Sequence, residues 1–179
     1  NGGATGGYNG GRRANMSAAL ISTTPAIPIS GISATVVDTF EAGEAQAINN
    51  IKTQLRNNQG VTFAFFLPDT ASWHDFGTFW TNQDESKLFD FDPYNGVAWN
   101  DSQGGGHLVL LVGYDDTDAD PANHYWELLN SWGVNPNRPH GTFRIKMHMN
   151  YDNVDGLYQA QNMYWDVLQP TFDLDSDDD

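Results

Sequence analysis

His107 opens an apolar run, Leu108-Val109-Leu110-Leu111-Val112, directly after three glycines at 104–106. Asn130 closes the next apolar run, Tyr125-Trp126-Glu127-Leu128-Leu129, and Trp132 follows two positions later. Imidazole takes up and returns a proton near neutral pH, so it suits general base and acid work. A carboxamide oxygen beside it accepts the ring N–H, selects the tautomer and fixes the direction of the ring. An indole over that hydrogen bond keeps water off it and strengthens it. Two strands joined by a turn would bring His107 and Asn130 to one sheet edge. The plainer readings are a strand-end histidine bonded within a turn, and Trp132 as core packing.

What the imidazole would serve is absent from the sequence, because none of the 179 residues is cysteine. There is accordingly no thiolate metal site and no disulfide framework. Ser131 is expected to face the packing rather than a cleft, so it does not replace a nucleophile. His74, His124, His140 and His148 show no metal-ligand spacing. Asp116, Asp118 and Asp120 alternate, with Glu127 further on, in the manner of a calcium loop. Pro121 stands where such a loop needs glycine, and a solvated acidic turn is the preferred reading. No metal and no cofactor is expected.

The elements that must position these residues are legible from periodicity. Ile32 to Phe40 is β-branched and reads as a strand. Ala47, Ile48, Ile51 and Leu55 give helical spacing over 43–58, with Gly60 as the stop. Val61–Leu67 reads as a buried strand ended by Pro68. Trp73 to Trp80 reads as a short helix or a compact loop, capped by Asp69 or Thr70. Residues 81–103 read as a surface loop with a brief strand near Leu88–Phe91. Strands over 107–115 and 124–132 follow, the first expected to be buried on both faces, with a turn at 115–123. Alternation at 141–147 and the run 163–168 add two more. Glycines lead the N-terminus, and a short helix over 15–22 is plausible with Asn15 as cap. One main helix followed by short antiparallel strands argues an α+β class with a barrel-like sheet.

Eight basic against 23 acidic residues give a net charge of −15. That excess argues against nucleic acid and anionic membranes as partners. No apolar run reaches the length of a bilayer span. The acidic end, 171–179, reads as a solvated tail. Asn1-Gly2-Gly3 does not read as a translation start, which suggests a processed product. Abundant Asn and Asp with few Lys lean towards an extracellular or cell-surface protein.

Gly105-Gly106-His107-Leu108-Val109-Leu110-Leu111-Val112-Gly113-Tyr114 resembles the His strand of the papain-like (C1) cysteine peptidases. Tyr125-Trp126 followed by Asn130-Ser131-Trp132-Gly133 resembles their Asn motif, and Phe143-Arg144-Ile145 the strand after it. Gly7-Tyr8-Asn9-Gly10-Gly11 with Ser17-Ala18-Ala19-Leu20 is similar to the segment that follows the family's catalytic Cys. The resemblance implies a C-terminal portion of a papain-like fold, with the Cys on an upstream segment or another chain. Residues 1–30 would then be a remnant of the helical lobe, and 31–170 the lobe that carries His and Asn.

It also implies His107 as general base and acid, Asn130 as its orienting partner and Trp132 as support. Asn9, Gly10, Gly11 and Gly106 would bind substrate backbone, and the substrate would be a peptide or protein. Three positions depart from the family pattern. Tyr8 stands where a disulfide Cys is usual, and Gly106 where plant and lysosomal members have Asp or Asn. Residues 134–139 replace a second Trp-Gly segment. The competing expectation is a catalytically inactive module that reuses the fold for an extracellular structural or binding role.

Overall fold

The computed structural model describes residues 29–172. Asn9, Gly10 and Gly11, the helix expected over 15–22 and the acid-rich end from 173 lie outside that span. Along the chain come β1 (Ile29–Val36), α1 (Glu44–Arg56), β2 (Val61–Leu67), α2 (Thr70–Asn82), β3 (Leu88–Phe89), β4 (Gly105–Asp115), β5 (Tyr125–Leu129), β6 (Thr142–Lys146) and β7 (Met163–Phe172). The strands form one sheet in the order β1-β7-β2-β4-β5-β6-β3. All pairs are antiparallel except β3 with β6. The class is α+β, with a mixed sheet in place of a purely antiparallel one.

Period-two alternation builds the core. In β2, Val61, Phe63, Phe65 and Leu67 are buried and the residues between them are half-buried. Trp126 and Leu128 of β5, Phe143 and Ile145 of β6, and Trp165 of β7 fill the same interior. The Trp126 and Trp165 rings lie 5.9 Å apart although β2 and β4 separate their strands. In a flat sheet three strand spacings would hold them about 14 Å apart. The sheet is therefore curled into a barrel-like trough, with β1 and β3 as its open edges. Ala47, Ile48 and Ile51 of α1 close it from one side, and Phe76, Phe79 and Trp80 of α2 from another.

Several expectations shift for local reasons. The first strand occupies Ile29–Val36 rather than 32–40, because its ladder with β7 ends at Val36 opposite Asp166. Val37 and Thr39 then turn into the core. Helix α1 stops at Arg56, and the left-handed residue after it is Asn58 (φ 56°), not Gly60. Helix α2 is a full 13 residues, started by a capping box in which Asp69 accepts from the Ser72 N–H. Its many aromatic residues are weak helix formers, so tertiary packing and that cap decide the outcome.

Strand β4 is buried on one face only. Val109 and Leu111 point inward, whereas Leu108, Leu110 and Val112 are 53%, 39% and 47% exposed. Strand β5 ends at Leu129, so Asn130 to Gly133 form a turn, with Gly133 at φ 84°. Ser131 in that turn is exposed rather than packed, because the chain has already left the sheet. In the acidic turn the carboxylates of Asp115, Asp118 and Asp120 accept backbone N–H groups of Thr117, Asp120 and Ala122. Asp116 instead pairs with Lys52 of α1.

Candidate active site

The β4–β5 ladder reaches its last rung where Leu110 faces Leu129. Asn130 lies one residue past that rung, and His107 lies at the glycine-led end of β4 opposite Phe65. Their side chains meet: His107 Nε2 is 2.8 Å from Asn130 Oδ1. A carboxamide oxygen only accepts, so Nε2 carries the proton and the neutral ring keeps its lone pair on Nδ1. Among the described residues Nδ1 makes no hydrogen bond. Asn130 is 6% exposed, and its own N–H donates to Gly141 O at 3.0 Å, which fixes the start of the turn.

Aromatic rings wall this pair. The Trp132 ring lies 5.0 Å from the His107 ring, tilted by 35°. Phe65 meets the other side of the imidazole edge-on at 5.6 Å. Helix α2 backs Trp132 with Phe76 at 5.4 Å and Trp80 at 5.8 Å, both edge-on. The sequence marked 73–80 as aromatic-rich but gave no sign that this helix supports the imidazole. Only the fold brings 76 and 80 beside 132.

Burial holds the His107 pKa below the usual imidazole value, and the Asn130 hydrogen bond works in the opposite direction. The unfolded chain therefore binds this proton more readily than the folded one. Stability linked to His107 is fully present above about pH 6.5 and is lost as the pH falls through the depressed folded value. Urea denaturation across that range should show a smaller acid loss in H107Q than in the parent chain. Removing the bond with N130A should lower the His107 titration midpoint further, as followed by NMR.

Two of the three glycines before His107 are held to glycine by ring contacts. A Cβ on Gly106 would lie 2.6 Å from Cε1 of Phe66, its partner across the β2–β4 ladder. One on Gly104 would lie 2.7 Å from the Trp99 ring. Phe66 and Trp99 also wall a recess of about 280 Å³ together with Tyr158 and Tyr164. These four rings were not singled out from the sequence as a group, because they come from four separate stretches of the chain.

Elsewhere, the structure draws together histidines that sequence spacing had separated. His124 Nδ1 lies 3.2 Å from His148 Nε2, and His148 Nδ1 lies 2.7 Å from a Glu44 carboxylate oxygen. Among the described residues no group of three or more His, Cys, Asp or Glu side chains is arranged to hold a metal ion. None of the described helices is long and apolar enough to cross a membrane.

The family model for papain family cysteine protease matches residues 35–163, which span β4, β5, the turn at 130–133 and both helices. No curated protein matches the chain. A match over well beyond half of the chain assigns it: this chain belongs to the papain family of cysteine proteases.

Proposed function

We propose that this chain provides the imidazole and carboxamide of a cysteine peptidase that hydrolyses peptide bonds in peptide or protein substrates. One observation carries the reading: Asn130 holds Nε2 of His107, which leaves Nδ1 as the nitrogen open to a nucleophile. The thiol comes from a Cys-bearing segment, joined upstream or on another chain. In that assembly the thiol gives its proton to Nδ1, and the sulfur attacks the substrate carbonyl carbon. The imidazolium then protonates the leaving amine as the C–N bond breaks, which leaves an acyl-thioester. Water, deprotonated by the same nitrogen, attacks the thioester and releases acid and thiol. Asn130 accepts the Nε2–H throughout, and Trp132 keeps water from that bond.

Burial alone favours the neutral ring, so the imidazolium of an active pair needs a thiolate beside it. Seating the Cys segment should therefore raise the His107 titration midpoint. Asn130 Nδ2 is buried and has no hydrogen-bond partner among the described residues. A stranded buried donor costs roughly 1–3 kcal/mol, which an acceptor on the arriving segment would recover. On this reading the segment before Ile29 is the helical-lobe remnant and β1 to β7 form the lobe carrying His107 and Asn130; the expected boundaries at 30/31 and 170/171 fall inside β1 and β7, whose ladder runs from Ile29 opposite Phe172. On the same reading Asn9, Gly10, Gly11 and Gly106 bind the substrate backbone. The Asp- and Asn-rich, Lys-poor composition fits an extracellular or cell-surface setting.

The test is labelling of the native assembly with a thiol-directed epoxide, followed by peptide mapping. Covalent label on a Cys-bearing segment, lost when His107 is replaced by Ala, is the expected result. No label anywhere, or label indifferent to H107A, overturns it. A non-catalytic binding or structural module then becomes the better reading, favoured by the absence of cysteine from this chain.

A further inference from the structure

Arg138 is fully buried, with 0% of its surface exposed, and among the described residues it forms no ion pair. Its guanidinium is spent on backbone carbonyls. Nε donates to Trp80 O at 3.0 Å, Nη2 to Phe79 O at 3.0 Å and Nη1 to Thr142 O at 3.1 Å. The plane also lies over the Phe79 ring at 4.4 Å and the Trp80 ring at 5.1 Å. Phe79 and Trp80 belong to the last turn of α2, where free carbonyls and the negative end of the helix favour a cation. Two neighbours on the same loop repeat the attachment: Asn135 Nδ2 donates to Trp80 O and Asn137 Nδ2 to Thr81 O.

The loop that carries these residues begins directly after Gly133. At its other end, Gly141 supplies the carbonyl that binds the Asn130 N–H, and the Gly141 N–H donates to Arg138 O at 3.1 Å. It therefore connects the turn of Asn130 and Trp132 to the end of α2. Helix α2 returns to the site through Trp80, whose ring meets Trp132 edge-on. This is also the segment in which the sequence departs from the papain-like pattern.

We infer that Arg138 is a positioning residue that holds the Trp132 indole over the His107–Asn130 pair, acting through the C-terminal turn of α2 and Trp80. The inference rests on the peptidase reading for its catalytic meaning, but its geometry can be measured without any substrate. A lysine at 138 keeps the charge and loses the fork that reaches carbonyls on both α2 and β6.

The experiment compares the parent chain with R138K, R138M and W80L, using ¹H–¹⁵N spectra of the imidazoles across a pH series. Thermal unfolding is recorded beside it. With the indole loosened, His107 gains solvent, so its titration midpoint should rise and its single Nε2–H tautomer should give way to a mixture. W80L leaves every carbonyl partner of Arg138 in place and carries the same expectation. In the assembled peptidase R138K should lower kcat by roughly ten- to a hundredfold while KM holds. Folded R138K with the His107 midpoint and tautomer of the parent overturns the inference. So does failure of both Arg138 variants to fold while W80L leaves His107 unchanged, because Arg138 is then a fold residue alone. Failure of the epoxide to label the assembly touches only the peptidase reading.

Discussion

Alanine at position 107 should lower kcat of the assembled peptidase by on the order of 10⁴-fold, with KM nearly unchanged. On the proposed mechanism the imidazole handles the proton in both half-reactions, so its loss would be felt in acylation and in deacylation. The two rings against it, Phe65 and Trp132, cannot take up a proton in its place. Replacing Asn130 with Ala should cost less, on the order of 10²-fold, because the base survives and only its tautomer and direction are freed. Steady-state kinetics on a peptide substrate checks both, with circular dichroism to establish that each variant is folded. Activity of H107A within tenfold of the parent would remove His107 from the chemistry.

Alanine at Gly156 should be the most damaging one-carbon change to the fold. The added Cβ would lie 2.2 Å from Gly96 O and 3.0 Å from Ala98 N, both backbone atoms that cannot swing aside. The two segments are bonded together there: Gly156 N–H donates to Val97 O and Gly96 N–H to Val154 O, each at 2.8 Å. Next door, the Asp155 carboxylate accepts the N–H groups of Leu157, Tyr158 and Ala160. A methyl group at 156 must therefore break a two-segment lock and shift the wall that Asp155 and Tyr158 give to the recess. We expect a loss of about 3 kcal/mol or more, read as a lower urea midpoint at constant slope. A loss below about 1 kcal/mol would mean that the loop yields more freely than its bonds suggest.

Gly156 shows where sequence reading runs out. Nothing in Asp155-Gly156-Leu157 announces a carbonyl from residue 96 pressed against the α-carbon, because the contact is tertiary. Strand β6 was legible because alternation is strict there, since burial on one face writes itself into every second residue, and β2 was legible as an apolar run ended by Pro68. The His107–Asn130 meeting was legible too, because a hairpin fixes which ends of two strands are neighbours. What was not legible depends on partners distant in sequence. Leu108, Leu110 and Val112 looked like one side of a doubly buried strand, and composition alone does not distinguish a covered face from an apolar face turned outward. Arg138 drew no reading of its own within the segment 134–139, and only the carbonyls of α2 and β6 explain its burial. Helix α2 itself was half-read, because Asp69 was one of two cap candidates with Thr70, whereas its Ser72 partner and the aromatic packing that extends the helix to Asn82 were not read.

The exposed leucine row has a consequence for handling the protein. Alone in water, Leu108, Leu110, Val112 and Leu129 form a sticky stripe on a strand ladder, and one more ladder edge lies open at β1. The strong negative charge keeps copies apart at low ionic strength, and salt weakens that repulsion. A preparation of the isolated chain should therefore cloud as sodium chloride is added.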